Sequence, residues 1–577
     1  MNIKDSQIIQ KTGIFLEEIT RSKVILQAVL VGILSGLLVV LFKICITDLF
    51  NFIQHLIKDL SVYKRLLIFP LITAFGGLIS GILVFKIAPE TRGSGIPYVK
   101  LTLARIGKGT RIRSILVKFF AGVAGIGTGL SLGREGPSVQ LGAGAGALVA
   151  KIFKMTGTDQ DKLVASGAGA AIGATFNAPI AGAIFVLEEL VQSFSSSLLF
   201  PVLVATVSAA AIARYFLGNN PSFIIPPILT PISFATIPVF IVLGFVAGIL
   251  GVLFSKNIFL NINIYDRLGK IPVWCKPAIA GFITGIIGIF LPYVLSSGNI
   301  SVNLLLQNKF TVGLILIIFI GKFFLTPICF GSGAAGGIFL PILMIGSFLG
   351  YLLGIMSNSL NIHVDPVVIA LVGMGAFLSA VARTPITAVV MVFEMTGDYN
   401  HILPIMLSAA IADLIAEKLN HAPIYSTLIF KQGSKTKETK FLSSVKVKSV
   451  MTKNVQEFLY DMSIEKALKI MDTTRHSAYP VVSCNKKLIG IITRADIENA
   501  FLQGNFSNTN VENIMNPHPI TIKPDDDLYK TSYLLHSNNT EWIIVSDNKK
   551  NIRGIITRFD INKILNEFEN STISLPK

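Results

Sequence analysis

The sequence predicts a polytopic α-helical membrane protein built from two homologous, inverted repeats with broken, tilted helices, followed by a small C-terminal α/β pair. Three observations carry this prediction. Of the 577 residues, 52% are hydrophobic and only 14% are charged, whereas soluble domains usually carry about a quarter charged residues. The apolar part contains an internal repeat, and the composition becomes charged after the polar stretch FKQGSKTKETK at 430–440.

Apolar runs predict the membrane helices. Runs of the length that a span needs, about 20 residues, occupy 24–45, 66–87, 234–254 and 277–294. The first run is too long for the apolar core of a signal peptide, so it predicts a first membrane helix. Shorter runs, interrupted by Gly and Pro, occupy 114–130, 135–153, 163–175 and 332–356. Such helices are tolerated only inside protein or beside a wet cavity.

The internal repeat predicts where a binding site lies. The stretch KFFAGVAGIGTGLSLGREGPSVQLGAGAG from Lys118 aligns without gaps on KFFLTPICFGSGAAGGIFLPILMIGSFLG from Lys322. Further along, the repeat pairs Glu188 with Glu394, and we expect these two acids to satisfy helix ends or lysines in each half. Repeated halves with broken helices are typical of transporters whose site lies at the repeat interface near the bilayer midplane.

Three Gly-rich turns and one tyrosine are the candidate lining of that site. The turns are GSGIP at 93–97, GREGP at 133–137 and GGIFLP at 336–341, and Tyr425 follows the last apolar helix in APIYS. Backbone N–H groups and the positive dipole end at a helix start favour an anion. A cation site would need converging carboxylates instead. No metal site is predicted, because the four Cys and seven His lack ligand spacing.

Together with the acidic pair at 188–189 and the charged tail, these motifs resemble the CLC chloride channel and transporter family over nearly the whole chain. The resemblance implies chloride transport, specifically proton-coupled Cl−/H+ antiport, by a homodimer in the lipid bilayer of the cell (inner) membrane, with a cytoplasmic tail and no enzyme activity. A passive gated chloride channel of the same fold is the alternative. The net charge of +17 fits basic loops beside an anionic membrane leaflet. The sequence has no stripe of basic and aromatic residues, so it does not predict nucleic-acid binding.

The resemblance assigns chloride ligands. It implies that the Ser94 hydroxyl, the backbone N–H groups of Ile338 and Phe339, and the Tyr425 hydroxyl bind chloride. A serine hydroxyl can donate one hydrogen bond to a halide, although a serine in such a turn can also serve only to close it. The alternative for Tyr425 is a residue of the interfacial aromatic belt.

Two glutamates are implied to carry gating and protons. Glu135 resembles the external gate, an anion that competes for the chloride site when ionised and leaves it when protonated. A structural ion pair with Arg134 is the alternative, although adjacent helical residues do not face each other. Glu189 resembles the internal proton-transfer residue that channels replace with an apolar one, and its repeat partner is Met395. The alternative for Glu189 is an exposed carboxylate at the cytoplasmic interface.

The tail contains a second repeat, with GIITRADI from 490 matching GIITRFDI from 554. It resembles tandem CBS domains, which can bind an adenine nucleotide and would regulate transport. The predicted segments are 1–22 (cytoplasmic N-terminal segment), 23–430 (membrane domain, with halves at about 24–217 and 234–425), 431–444 (linker), 445–503 (first CBS domain) and 509–568 (second CBS domain).

The resemblance suggests nucleotide contacts from Thr493 with Asp496 and from Thr557 with Asp560, although Thr and Asp are equally suited to cap helices. Magnesium transporters and enzymes carry such tails too, but converging backbone donors favour an anion. An intramembrane enzyme using the three acids near 135 and 188–189 would lack a nucleophile, a metal-ligand cluster or a nearby His. The tail has no P-loop, which disfavours an ATP-driven pump.

Overall fold

The computed structural model describes residues 3–104, 110–219, 221–226, 234–397, 399–433, 437–474, 478–494, 496–497, 500, 510–537, 540–548, 550–561 and 563–565. The chain divides into two compact units, a membrane unit (Met1–Ile429) and a tail unit (Phe430–Lys577). Each unit has its own core.

The first half of the membrane unit contains eight α-helices within the described residues. They are α1 (Ile3–Lys58), α2 (Val62–Ile82), α3 (Ile96–Leu103), α4 (Ile112–Gly127), α5 (Glu135–Ile152), α6 (Gly157–Phe176), α7 (Pro179–Phe185) and α8 (Ser196–Leu217). Two π-helical turns, Leu83–Ile87 and Val186–Leu190, extend α2 and α7.

The second half continues with nine described helices. They are α9 (Ile237–Arg267), α10 (Lys276–Phe290), α11 (Asn299–Leu306), α12 (Val312–Gly331), α13 (Phe339–Ser359), α14 (Pro366–Ala382), α15 (Pro385–Thr396), α16 (Ile402–Lys418) and α17 (Ile424–Gly433). Among the described residues, seven helices are long and apolar enough to cross a membrane. The prediction of a polytopic helical membrane protein is confirmed.

The interrupted helices lie inside the protein, as the sequence predicts. In α13, 78% of the most apolar stretch is buried, compared with 39% in the apolar stretch that contains α10. Glycines make this interior compact, because a Cβ on Gly142 or Gly167 would overlap the facing backbone across α5 and α6, and one on Gly346 or Gly373 would do so across α13 and α14. Small residues of this kind let membrane helices approach closely.

Helix ends differ from the apolar runs in three places. Helix α1 begins at Ile3, well before the run at 24–45. The run at 277–294 is helical only to Phe290, because Pro292 opens a separate 3₁₀ turn and proline has no N–H for the α-helical ladder. The run at 332–356 begins with a turn, and α13 starts at Phe339.

The tail unit contains two copies of one small α/β motif. Its described elements are α18 (Lys437–Ser444), β1 (Phe458–Leu459), α19 (Ile464–Thr474), β2 (Ala478–Val482), β3 (Leu488–Thr493), α20 (Val511–Ile514), β4 (Thr521–Ile522), α21 (Leu528–Ser537), β5 (Trp542–Ser546) and β6 (Ile552–Thr557). The sheet orders are β1-β2-β3 and β4-β5-β6. In each sheet the first pair is parallel and the second antiparallel.

The strand β2 has the sequence AYPVV and β5 the sequence WIIVS, both rich in the β-branched and aromatic residues that favour strands. The predicted linker at 431–444 includes the end of α17 and all of α18. Its Lys, Glu and Gln residues are good helix formers, so a polar composition there does not require an extended chain.

Candidate anion site and two buried glutamates

Backbone hydrogen bonds join the three Gly-rich turns. The Gly133 N–H donates to the Gly337 carbonyl at 2.7 Å, and the Gly337 N–H donates back to the Gly133 carbonyl at 2.6 Å. The Gly336 N–H donates to the Gly93 carbonyl at 3.1 Å. The starts of α3, α5 and α13 are thereby held next to one another, as the repeat predicts. Their first N–H groups have no partner within the helix.

Close contact between α3 and α5 depends on the missing side chain of Gly136. A Cβ at this position would lie 2.6 Å from the Ser94 carbonyl oxygen and would also collide with the Ser94 hydroxyl. Gly95, at the start of α3, adopts a φ of 93°, in the left-handed region that glycine occupies without strain. The two glycines therefore fix where Ser94 lies.

We expect Gly136→Ala to destabilise the protein by about 1–3 kcal/mol, because the added methyl group must displace a rigid turn. The matched control is Gly313→Ala in α12, where a Cβ would meet nothing within 4 Å. Alanine in an open helical position stabilises by up to about 1 kcal/mol. The measurement is the apparent melting temperature of the detergent-purified protein. Equal melting temperatures for both variants would contradict the close contact at Gly136.

The candidate ligands and the candidate gate include three buried oxygens that have no hydrogen-bond partner among the described residues: Ser94 Oγ, Glu135 Oε1 and Tyr425 Oη. Tyr425 is 0% exposed, which contradicts the interfacial-belt alternative. An unsatisfied buried polar group costs about 1–3 kcal/mol. An anion that accepts hydrogen bonds from the two hydroxyls fits this donor set.

Glu135 is the first residue of α5 and points toward the start of α13. Its Oε2 accepts a long hydrogen bond of 3.4 Å from the Leu340 N–H, and the residue is 1% exposed. The carboxylate thus lies at a helix start that favours anions. Neither Glu135 Oε1 nor Arg134 Nε has a hydrogen-bond partner among the described residues. The structure therefore does not support the alternative of a structural ion pair between these two neighbours.

Ile338 and Phe339 lie where the resemblance requires backbone donors. Ile338 immediately precedes α13 and Phe339 is its first residue. The Phe339 ring packs against Phe176 and Phe185, with ring centroids 5.5 Å and 5.9 Å apart. This packing surrounds the start of α13 with apolar side chains. Hydrogen bonds to an anion are stronger in such an interior than in water.

Glu189 is buried and paired with a cation. It lies on the π-helical turn after α7, and its Oε1 is 2.8 Å from Lys100 Nζ, with both side chains 2% exposed. Lys100 Nζ also donates to the Ser426 hydroxyl at 3.0 Å. The alternative of an exposed interfacial carboxylate is therefore wrong. Buried ion pairs are seldom retained for stability alone.

Sequence reasoning missed Lys100. The available signal was a lone lysine in the short helix that begins at GSGIP, three residues after Pro97 in GSGIPYVK, since an ionisable residue at membrane depth requires a partner. Lys100 joins three parts of the site: α3, which starts beside Ser94, the turn with Glu189, and α17, where Ser426 follows Tyr425.

The paired acids Glu188 and Glu394 have matching structural roles. Glu188 accepts from the N–H groups of Ile386 and Thr387 at 3.1 Å and 2.7 Å. Glu394 accepts from the N–H groups of Ile180 and Ala181 at 3.1 Å and 2.6 Å. Each acid satisfies the helix start of the opposite repeat, which confirms the expectation that these residues serve helix ends.

The repeat-related lysines brace equivalent turns. Lys118 Nζ donates to the carbonyls of Thr91 and Gly93 at 2.9 Å and 2.6 Å. Lys322 Nζ donates to the carbonyls of Val294 and Ser296 at 3.1 Å and 2.7 Å. Lys118 therefore orients the backbone just before Ser94.

In the tail, the two Thr/Asp pairs form the same local contacts. Asp496 Oδ2 accepts from the Thr493 N–H and hydroxyl, both at 2.7 Å. Asp560 Oδ2 accepts from the Thr557 N–H and hydroxyl at 2.8 Å and 2.7 Å. These are helix-capping contacts. A cavity of about 110 Å³ between the motifs is lined by nine residues, including Tyr479, Trp542 and Thr557.

Comparisons with known proteins agree with this architecture. A family model described as voltage gated chloride channel matches residues 76–417, and a CBS domain model matches 447–503 and 511–567. The H(+)/Cl(−) exchange transporter ClcA of Vibrio cholerae serotype O1 is 34% identical over 430 residues, covering 71% of this chain and 90% of that protein. The ClcA of Vibrio parahaemolyticus is 33% identical over 425 residues, with the same coverage.

Two solved structures extend the comparison. A slow cyanobacterial Cl−/H+ antiporter is 29% identical with a TM-score of 0.67, covering 72% of this chain and 98% of that one. A eukaryotic CLC transporter, 19% identical, shares the fold with a TM-score of 0.64 and covers 94% of this chain and 98% of that one. The protein is thus a multi-pass membrane protein whose predicted architecture of two repeats and a CBS pair is confirmed, and the chain belongs to the voltage gated chloride channel family.

Proposed function

We propose that this chain exchanges chloride for protons across a membrane. The observation that carries the proposal is the pair of buried glutamates, Glu135 and Glu189, each 1% exposed. One glutamate lies at a helix start suited to anions, and the other is paired with a buried lysine. The named exchangers among the relatives support the same function.

In the proposed chloride site, the ion accepts hydrogen bonds from the hydroxyls of Ser94 and Tyr425 and from the N–H groups of Ile338 and Phe339. Support comes from the two unpartnered hydroxyl oxygens and from the position of Ile338 and Phe339 at the start of α13. Such a site binds an anion without a full positive charge. Binding is therefore weak enough to permit release.

Ionised Glu135 competes for this region, since its carboxylate already accepts from the Leu340 N–H of α13. Protonation removes the negative charge and weakens that hydrogen bond. The side chain then leaves, and chloride can enter. The same carboxyl group thus carries a proton and excludes an anion, which couples the two fluxes without ATP or covalent chemistry.

Glu189 is the proposed internal proton residue. When ionised it pairs with Lys100 at 2.8 Å, and a proton that reaches it releases Lys100 from that pair. Because Lys100 also binds Ser426, next to Tyr425, the protonation state of Glu189 is linked to the part of α17 that lines the chloride site. Protons then pass between Glu189 and Glu135.

The test against the alternative of a passive channel is the reversal potential of the reconstituted chain in a planar bilayer. With equal chloride on both sides, we expect a proton gradient to move the reversal potential away from zero. A channel of the same fold would stay at zero, whatever the proton gradient. A measurable chloride current whose reversal potential does not move with the proton gradient would therefore contradict exchange and indicate a chloride channel.

The proposal places the protein in the cell (inner) membrane as a homodimer, with the CBS tail in the cytoplasm. Large apolar side chains exposed on the outside of the membrane unit, such as Phe75, Phe245 and Phe290, support contact with lipid tails or a second copy. The limits proposed from the sequence for the membrane domain (23–430) and the CBS domains (445–503 and 509–568) belong to the same proposal.

We also propose that the CBS pair binds an adenine nucleotide and regulates transport. The cavity that Tyr479, Trp542 and Thr557 line supports this, because aromatic faces stack on bases. Asp496 and Asp560 already accept two hydrogen bonds each from their threonines, yet an ionised carboxylate has further acceptor sites for ribose hydroxyls.

ATP is expected to change the fluorescence of Trp542 saturably. The chain has two tryptophans, so Trp274→Phe leaves Trp542 as the single reporter. Tripolyphosphate controls for charge, because it lacks the base that would stack on the indole ring. Identical responses to ATP and tripolyphosphate, or no saturable response to ATP, would contradict nucleotide binding at this cavity.

A further inference from the structure

A cavity of about 410 Å³ lies next to the proposed gate and has no part in the chloride site described above. It is lined by the far part of α1, by the turn before α11, by α11 and by Arg134. Arg134 directly precedes Glu135, so the cavity lies one residue along the chain from the candidate gate, although Glu135 itself does not line it. Its polar lining includes Lys43, Asn51 and Gln54 from α1.

The cavity is positively charged. Lys43 and Arg134 line it, and no Asp or Glu is among the described residues that do so. Arg134 is only 7% exposed, and the half-buried Lys43 lines the same cavity. Two like charges that share one cavity raise the energy of the folded state. An anion between them removes this cost.

Unused hydrogen-bond donors point to the kind of anion. Arg134 Nε and Gln54 Nε2 are buried and have no hydrogen-bond partner among the described residues. A guanidinium presents a planar fork that matches several oxygens of one anion, an ammonium adds a point charge, and the amide adds a neutral donor. Donors spread around a cavity of about 410 Å³ fit a polyatomic oxyanion better than a single halide.

We propose that this cavity binds a phosphate-type oxyanion through Lys43, Arg134 and Gln54, and that its occupation inhibits chloride flux by holding Arg134 beside the gate. Binding rests on the cavity alone. Inhibition rests in addition on the proposed function of Glu135. The same chemistry could come from free inorganic phosphate or from the headgroup of a phosphatidate lipid.

Binding is tested by the apparent melting temperature of the full chain in neutral detergent, titrated with inorganic phosphate at constant ionic strength. Phosphate also stabilises proteins generally by exclusion from their surface, so the comparison is between variants. Lys43→Gln removes a charge, and Gln54→Leu removes a donor at constant charge. Lys58→Gln, on the same helix but outside the cavity, is the matched control.

We expect a saturable rise in melting temperature for the wild type and for Lys58→Gln. For Lys43→Gln and Gln54→Leu, half-saturation should need a phosphate concentration at least about fivefold higher, because each variant loses one charge-assisted or neutral hydrogen bond. Parallel rises in all four proteins would overturn the site. A second arm adds phosphatidate to the micelles. A variant-dependent rise there, without one for phosphate, would identify the lipid headgroup as the source and overturn free phosphate.

Inhibition is tested by chloride efflux from vesicles with phosphate on both sides, so that protein orientation does not matter. Phosphate should lower the chloride flux of the wild type. In Gln54→Leu, half-inhibition should need more phosphate, by the same factor by which the variant weakens phosphate binding. Binding without inhibition would overturn the gating part of the proposal. A wild type that binds phosphate but moves no protons would contradict proton exchange and leave the site intact.

Discussion

Glu189→Gln is expected to abolish proton movement driven by a chloride gradient while chloride still crosses the membrane. Glutamine has nearly the shape of glutamate but cannot carry a proton. The substitution also leaves Lys100 buried without its anionic partner, because the ion pair at 2.8 Å is lost. Removing one partner of a buried pair destabilises by about 3–5 kcal/mol. The measurement is the ratio of proton to chloride flux in proteoliposomes, together with the melting temperature.

The double variant Glu189→Gln/Lys100→Met separates the two effects. It removes both charges, so we expect it to recover much of the stability that Glu189→Gln loses, since replacing a buried pair by apolar residues is often neutral. Proton coupling should stay absent. If the double variant restored proton movement, Glu189 would not be the internal proton residue.

Glu135→Gln is expected to lose proton coupling as well, and in addition to make chloride flux independent of pH. A neutral amide cannot compete as an anion for the N–H groups at the start of α13, where Glu135 now accepts from Leu340. The measurement is chloride efflux as a function of pH, with proton flux recorded in parallel. In the wild type, flux should rise as pH falls, because protonation frees the site.

The control for Glu135→Gln is Glu417→Gln, which removes a carboxylate that is 72% exposed and far less confined. It should keep the pH dependence and coupling of the wild type, since exposed ion pairs contribute little. If Glu135→Gln retained a pH-dependent chloride flux, the gate would be a different group.

Local sequence patterns predicted the helix starts around the candidate site, because helix starts depend on local residue types. Gly-rich turns before helices mark helix starts, so Glu135, Ile338 and Phe339 could be placed at anion-favouring ends without knowing the packing. The alignment of the repeats paired Glu188 with Glu394 and predicted that both serve helix ends or lysines, but it did not predict that each acid contacts a helix start in the opposite half. What sequence reasoning could not find were partners chosen by packing. Lys100 meets a glutamate 89 residues later and a serine 326 residues later.

Composition was a weaker guide to boundaries. Helix α1 extends to Ile3, and the polar stretch at 437–444 is also a helix. Hydropathy indicates which segments can contact lipid, but a helix can continue into water if its residues favour helix formation. The cavity beside Arg134 was equally hidden, since its walls come from α1 and from a turn near Ser297, which are far apart in the sequence.

A chloride gradient imposed across vesicles that contain the purified wild-type chain, with the external pH recorded, decides whether the chain couples chloride flux to proton flux. If it does, protons will leave the vesicles as chloride enters, against their own gradient, and a protonophore will collapse the pH change. Chloride entry at a measurable rate, with no pH change beyond that of empty vesicles, would contradict proton exchange and make the protein a chloride channel.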